Sequence, residues 1–120
     1  MERTGPMSAT EGGVDRDYAL ERVGGDRELL AEIIELFVGD CPRLLRDIEE
    51  TAADADAFHL AAHRLKGSLL QFGAFHAADL CQQLEDLGRE SDLAGVPALL
   101  PALREEVDRV IESLEVLAGE

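Results

Sequence analysis

The sequence contains no tryptophan, few aromatic residues and only one lysine. Aromatic residues make up 4% of the 120 residues, whereas apolar residues as a whole make up 46% and are mainly Leu and Ala. Because β-sheets favour aromatic and β-branched residues, this composition predicts helices. The length is that of one domain with a core of its own.

Positive charge is also scarce. Lys and Arg number 11 against 26 Asp and Glu, so the formal net charge is −15 at pH 7. Such a surface repels nucleic acid and anionic membranes, and we expect neither as a partner. It suits a partner with a basic or metal-loaded docking surface, although solubility alone would explain the charge equally well.

Long apolar runs and cysteine motifs are missing as well. No apolar run approaches the ~18 residues of a transmembrane helix and no signal peptide is evident, so we expect a cytoplasmic protein. Cys41 and Cys81 lack CxxC spacing and lie in apolar, helix-like contexts. They are predicted to be buried thiols of a reduced protein.

Apolar residues recur at steps of three and four in four long segments. These predict helices over about 27–52, 56–72, 74–87 and 97–117, and a short helix over 15–23 precedes them. Asp26 is placed to cap the first long helix and Gly73 to end the second. Pro42 lies in phase within the first, which predicts one kinked helix. Pro101 fits poorly near the start of the last helix, which therefore begins at Pro97 or later.

Long amphipathic helices with short connections predict an all-α fold, an antiparallel four-helix bundle with a short extra N-terminal helix. Residues 14–118 are assigned to this domain. Residues 1–13 are small, polar and rich in glycine, and they are predicted to form a disordered tail.

His63 is predicted to point away from the core. At about 100° per residue, the apolar face of its helix lies opposite. On the side of His63 lie His59, Lys66, Gly67 and Leu70. Because glycine in mid-helix costs about 0.5–1 kcal/mol relative to Ala, we interpret Gly67 as leaving room for something that approaches His63. Lys66 places an ammonium one turn away, where it could contact an anion on the imidazole. The imidazole, the adjacent cation and the open flank together fit a phosphorylated histidine.

The segment AHRLKGSLLQFGA resembles the signature of histidine-containing phosphotransfer (HPt) domains, roughly H-x-L-K-G followed six positions later by G-A. The matching positions are His63, Leu65, Lys66, Gly67, Gly73 and Ala74. The segments ALERVGGDRELLAEIIELF, DCPRLL and LCQQLEDLGR are also similar to the family, so the resemblance covers nearly the whole chain from about residue 15. It implies a four-helix bundle with small extra helices.

The resemblance also implies roles for single residues. His63 would be phosphorylated, Lys66 would steady the phosphoryl group and Gly67 would leave room for the incoming receiver domain. Glu85 matches a Gln or Glu that hydrogen-bonds the histidine; it could accept the Nδ1 hydrogen and leave Nε2 free, or it could be a solvated helix carboxylate. Arg89 matches an arginine that some members keep near the site.

Docking of the partner is assigned to residues around His63, namely His59, Arg64, Leu70 and Arg89. Leu69 and Leu70 stand where the family is usually smaller. Leu69 faces inward and changes packing alone. Leu70 either belongs to an apolar docking patch or restricts access.

By this resemblance, the protein relays a phosphoryl group between aspartates of response-regulator receiver domains through His63. Its partners would be receiver domains and a hybrid sensor kinase, and the chain would be a monomer. The Mg²⁺ would belong to the receiver, so no cofactor and no metal ligand are expected here. The absence of a Gly-rich phosphate loop predicts a phosphocarrier that binds no ATP, rather than an enzyme.

Two other interpretations are open. His59 and His63 have the i, i+4 spacing that can bind one metal ion, with His76 or a carboxylate as a further ligand; however, both face solvent and no third ligand has a defined spacing. Alternatively, the chain is a helical adaptor that docks a receiver or kinase without being phosphorylated. Binding to the partner would then survive the loss of His63.

Overall fold

The computed structural model describes residues 13–120, and these residues form helices and no strand. The α-helices are, in order, α1 (Arg16–Arg22), α2 (Arg27–Glu50), α3 (Ala55–Leu70), α4 (Phe75–Arg89) and α5 (Val96–Ala118). A 3₁₀ turn at Leu93–Gly95 leads into α5. The predicted all-α class is confirmed. Apart from Gly13, the predicted disordered tail lies outside the described residues.

The four long helices form a bundle in which α2 and α4 each contact both α3 and α5. Their short connections make successive helices antiparallel. The apolar faces meet in one continuous core. Its largest fully buried side chains include Phe58, Phe72, Ile34, Ile48, Leu65 and Leu69. This arrangement confirms the predicted antiparallel four-helix bundle with an extra N-terminal helix.

Side-chain caps mark the starts of α2 and α3. Asp26 accepts a hydrogen bond from the backbone N–H of Leu29 at 3.0 Å, and Asp54 accepts one from Ala57 at 3.3 Å. Each satisfies a backbone donor that has no partner within its helix. α2 continues through Pro42 as one helix.

The two cysteines are free and buried, as predicted. Burial raises the pKa of the Cys41 thiol to about 11 and that of Cys81 to about 12. Since the thiolate is the reactive form, both thiols serve as core packing at neutral pH.

The short helix α1 covers the turn between α3 and α4. The backbone N–H of Asp15 donates to the carbonyl of Gly73 at 3.2 Å, and the Tyr18 ring meets the Phe75 ring edge-on at 5.2 Å. Gly73 has a φ of +66°, and a Cβ there would lie 2.6 Å from the Asp15 Cβ. Glycine at this position therefore permits both the turn and the close approach of α1.

One predicted boundary was wrong at the end of α4. The sequence predicted a helix over about 74–87, which leaves Gly88 outside it. The helix instead continues to Arg89, and Gly88 is buried. A Cβ on Gly88 would lie 3.1 Å from the backbone nitrogen of His59, so this glycine brings α4 against the backbone of α3.

The start of α5 also differs from the expectation that the helix begins at Pro97 or later. The helix begins at Val96 with Pro97 in its first turn, and Pro101 lies inside it. A later start was therefore not required by Pro101. Within residues 13–120, no helix has both the length and the apolar character that crossing a membrane requires.

Candidate functional site

His63 lies in the middle of α3 with its ring exposed to solvent. Its side chain is 59% exposed. The Nδ1 atom lies 3.2 Å from Oε2 and 3.3 Å from Oε1 of Glu85 on the neighbouring helix α4. A carboxylate accepts hydrogen bonds, so this contact favours the tautomer with hydrogen on Nδ1 and leaves the Nε2 lone pair free.

Glu85 is buried beneath the histidine. Its side chain is only 3% exposed, so the alternative of a solvated carboxylate was wrong. Besides His63, its oxygens contact Lys66 Nζ at 2.8 Å and an Arg89 nitrogen at 3.2 Å. One buried negative charge is thus surrounded by two cations and an imidazole, which is the condition under which a buried carboxylate stays ionised.

The neighbours of Glu85 also decide its protonation. Burial by itself raises the pKa of the Glu85 carboxyl, but the hydrogen bonds and charges of Lys66 and His63 lower the pKa by more than that. The net result is a pKa below the ordinary value of 4.5, so Glu85 carries a full negative charge at neutral pH.

Lys66 is turned toward α4 rather than toward solvent. Its side chain is 17% exposed. The Nζ atom lies 2.8 Å from Glu85 Oε1 and 2.8 Å from Gln82 Oε1. The sequence predicted an ammonium available to an anion, and the structure holds it between two acceptors. An ammonium has three N–H groups, so one remains beyond these two contacts.

Gly67 borders open space next to His63. A Cβ built on Gly67 would meet no atom within 4 Å. Close packing of a neighbouring helix therefore does not account for this glycine. Since its helix cost has no packing explanation, the open flank beside the imidazole is the feature that distinguishes this position.

The four residues assigned to docking differ in exposure. Arg64 is exposed and the Arg89 side chain is 59% exposed. His59 is half-buried, and its Nδ1 lies 3.3 Å from the backbone oxygen of Glu85. Leu70 is half-buried and packs against the core, so little of it faces a partner.

Two residues of the site were missed by the sequence reasoning. Gln82 accepts from Lys66, and its Nε2 donates to Asp86 Oδ1 at 2.8 Å. Asp86 is also 3.6 Å from an Arg89 nitrogen. Their spacing from Glu85 by three positions and by one was visible in the sequence, but nothing local indicated that Gln82 reaches Lys66 or that Asp86 contacts Gln82.

Within the described part of the chain, the metal alternative lacks the ligands it would need. The rings of His59 and His63 lie with their centroids 6.5 Å apart. Among residues 13–120, no group of three or more His, Cys, Asp or Glu side chains is arranged to hold an ion. A tetrahedral zinc site uses three or four protein ligands, which this pair does not supply.

Comparison with known proteins gives two matches that agree. The sequence model of the Hpt domain family matches residues 32–113, a range that contains all of α3 and α4. The crystal structure of histidine-containing phosphotransfer protein B from Pseudomonas aeruginosa is similar to this chain, with a TM-score of 0.82 and 25% sequence identity. The likeness covers 89% of this chain and 95% of that chain. No curated protein matches the sequence.

Proposed function

The chain belongs to the Hpt domain family and is a histidine phosphotransfer protein of phosphorelays, and we propose that His63 is the residue that carries the phosphoryl group. The observation that supports this assignment most directly is the pairing of His63 with Glu85. The imidazole is exposed, and its Nδ1 is held 3.2 Å from a buried carboxylate. This leaves Nε2 as the free nucleophile at the surface.

The reaction follows from that tautomer. The Nε2 lone pair attacks the phosphorus of a phosphoaspartate on a receiver domain; the N–P bond forms, and the P–O bond to the aspartate breaks. The aspartate leaves as a carboxylate, and the imidazole that keeps its Nδ1 hydrogen gains positive charge. Glu85 stabilises that charge, because a fixed negative group next to developing positive charge needs no reorganisation. The reverse step passes the phosphoryl group to the aspartate of a second receiver.

The other site residues receive supporting roles. Lys66 offers its remaining N–H to a phosphoryl oxygen, and Gly67 leaves space on the flank of His63 where the receiver approaches. His59, Arg64 and Arg89 surround His63 and contact the receiver, whereas Leu70 contributes only its exposed edge.

The partner supplies what the chain lacks. The Mg²⁺ belongs to the receiver's acidic pocket, and the chain binds no ATP and no cofactor of its own. The partners are response-regulator receiver domains and a hybrid sensor kinase. We propose further that the chain acts in the cytoplasm and is a monomer. Light scattering of the purified protein would test its oligomeric state.

Phosphotransfer to a His63→Gln variant tests the central assignment. We expect a receiver labelled with ³²P on its aspartate to transfer the label to the wild-type chain. The label should be lost in mild acid, as expected of a phosphoramidate. His63→Gln should take no label. His76→Gln is the matched control, because His76 is an exposed histidine on α4 without a carboxylate partner among the contacts described, and it should be labelled normally.

A His63→Gln chain that still takes the label would refute the assignment. A wild-type chain that binds the receiver and takes no label would instead be the adaptor considered above. Binding by titration calorimetry, run beside the labelling assay, separates these outcomes.

A further inference from the structure

A chain of hydrogen bonds extends from the site along α4. Lys66 Nζ donates to Gln82 Oε1 at 2.8 Å, and Gln82 Nε2 donates to Asp86 Oδ1 at 2.8 Å. An amide has a donor end and an acceptor end. The Asp86 carboxylate can accept hydrogen bonds but cannot donate them, so it binds the nitrogen end of the Gln82 amide. The oxygen end of Gln82 is therefore left facing Lys66.

Lys66 depends on hydrogen bonds for the orientation of its ammonium more than a rigid side chain would. Lysine is a long, flexible side chain with a point charge, unlike the planar and preorganised arginine. Glu85 contacts the ammonium, but its carboxylate is shared with His63 and Arg89. A second acceptor on another turn of α4 converts a single contact into a two-point anchor, which limits the directions that the remaining N–H can take.

The chemical type of the second acceptor also matters. An amide oxygen holds the ammonium without adding another full negative charge to the site. A phosphoryl group brings about −1.5 to −2 charges at neutral pH. A second carboxylate in place of Gln82 would neutralise Lys66 and repel that group, whereas the amide keeps the ammonium attractive to it.

We propose that Gln82 and Asp86 are positioning residues for phosphotransfer, Gln82 by anchoring the Lys66 ammonium and Asp86 by orienting the Gln82 amide. This inference rests on the proposed phosphorylation of His63. Neither residue touches the phosphoryl group. Their effect on transfer passes through Lys66 alone.

The test compares two pairs of variants on the same helix. Gln82→Leu and Asp86→Ala break the anchor. Gln83→Leu and Asp79→Ala break a matched pair, since Gln83 donates to Asp79 at 3.1 Å on the exposed side of α4. We expect Gln82→Leu to slow phosphotransfer about tenfold, close to the lower limit for losing a hydrogen bond to a charged group, and Asp86→Ala to slow it about threefold. The Gln83 and Asp79 variants should transfer like the wild type.

Nuclear magnetic resonance supplies a readout that a general structural effect would not move. Lys66 is the only lysine in the sequence, so its side-chain ¹⁵N signal is assigned without ambiguity. In Gln82→Leu and Asp86→Ala the ammonium protons should exchange faster with water than in the wild type. Asp86→Ala should have no further effect on either measurement in the Gln82→Leu background, because it acts through Gln82.

Wild-type transfer by Gln82→Leu, with unchanged exchange of the Lys66 protons, would overturn the inference. A further loss when Asp86→Ala is added to Gln82→Leu would show that Asp86 acts through Arg89 instead and would overturn its part. If Gln82→Leu fails to fold, Asp86→Ala decides the matter, since Asp86 lies partly exposed. An unlabelled wild type refutes the proposed function and this inference together, whereas a labelled wild type matched by Gln82→Leu refutes this inference alone.

Discussion

At the scale of single residues, Glu85 shows how a site can hold a buried charge. The carboxylate is almost completely removed from solvent, yet its pKa lies below the ordinary value because Lys66 and His63 favour the ionised form. The group that orients the imidazole is therefore also tied to the stability of the folded chain.

We expect Glu85 to make the stability of the protein depend on pH in the acidic range. A carboxyl whose pKa is lower in the folded state stabilises that state above its unfolded pKa, near 4.5. This contribution is lost as the pH falls below 4.5 through the folded pKa. Urea unfolding of the wild type and of Glu85→Gln over this range measures it, because the other carboxyl groups are common to both proteins.

The advantage of the wild type over Glu85→Gln should be constant just above pH 4.5 and should shrink as the pH falls below it. His63, Lys66 and Arg89 are the groups that face Glu85. A difference that stays constant down to pH 3 would mean that Glu85 titrates as an ordinary exposed carboxyl.

Substitution of Gly67 by a long side chain should keep or raise the stability of the protein and lower its rate of phosphotransfer. A Cβ at Gly67 meets open space, so Gly67→Ala should raise the unfolding free energy by about 0.5–1 kcal/mol. Gly67→Gln should keep most of that gain, but its long side chain lies beside His63 where the receiver approaches. Transfer should therefore fall at least tenfold, a barrier change of about 1.4 kcal/mol. Thermal melts and transfer rates of both variants measure the two effects.

Gly39 is the matched control for Gly67. It is a helical glycine in α2, and a Cβ on it would also meet no atom within 4 Å. Gly39→Ala and Gly39→Gln should stabilise the protein similarly and leave transfer unchanged. Full transfer by a stable Gly67→Gln protein would remove the argument that Gly67 provides access.

At the scale of helices, the α3–α4 pair carries the whole site. His63 and Lys66 come from α3, whereas Glu85 and Gln82 come from α4. These two helices have the most extensive contact in the bundle. The distances between them depend on Gly88, where the helices approach backbone to backbone.

Gly88→Ala should have the opposite effect on stability to Gly67→Ala. Its methyl group would lie 3.1 Å from the His59 nitrogen and 3.2 Å from the Ala55 carbonyl oxygen, both backbone atoms. The helices must separate, and such overpacking costs about 1–3 kcal/mol. Urea unfolding should show the loss, and the contact of His63 with Glu85 should lengthen with it. An unchanged or raised unfolding free energy would show that the helices yield without strain.

At the scale of the whole molecule, the net charge of −15 acts against the compact state. The described part of the chain measures 40 × 35 × 21 Å. At 0.01 M salt the screening length is about 30 Å, so carboxylates on different helices repel one another across the bundle. The surface ion pairs, such as that of Arg104 with Glu49, offset little of this repulsion.

Added salt should therefore stabilise the protein. Between about 0.01 M and 0.5 M NaCl we expect Tm to rise by about 4–8 °C, the shift that ~1 kcal/mol produces in a domain of about this size. Differential scanning calorimetry at neutral pH measures it. Arg104→Gln should respond to salt in the same way, because an exposed pair contributes little. A Tm that falls with salt would mean that the ion pairs outweigh the repulsion.

The sequence by itself determined the helices and the direction of His63. Apolar spacing and the cap at Asp26 are local properties, so they predicted four long helices and an exposed imidazole. The family resemblance added Glu85, which lies on a different helix from His63. Local reasoning failed at Gly88, because a glycine that ends a helix and a glycine that brings two helices together look the same along the chain.

Only the tertiary structure decided what Lys66 contacts. Its position on α3 is visible in the sequence, but a lysine side chain has four rotatable bonds and reaches either solvent or a neighbouring helix. The close approach of α4 at Gly88 brings Glu85 and Gln82 within 2.8 Å of the ammonium. The burial of Glu85 likewise depends on that approach, and burial next to two cations is a property of packed helices that no single segment carries.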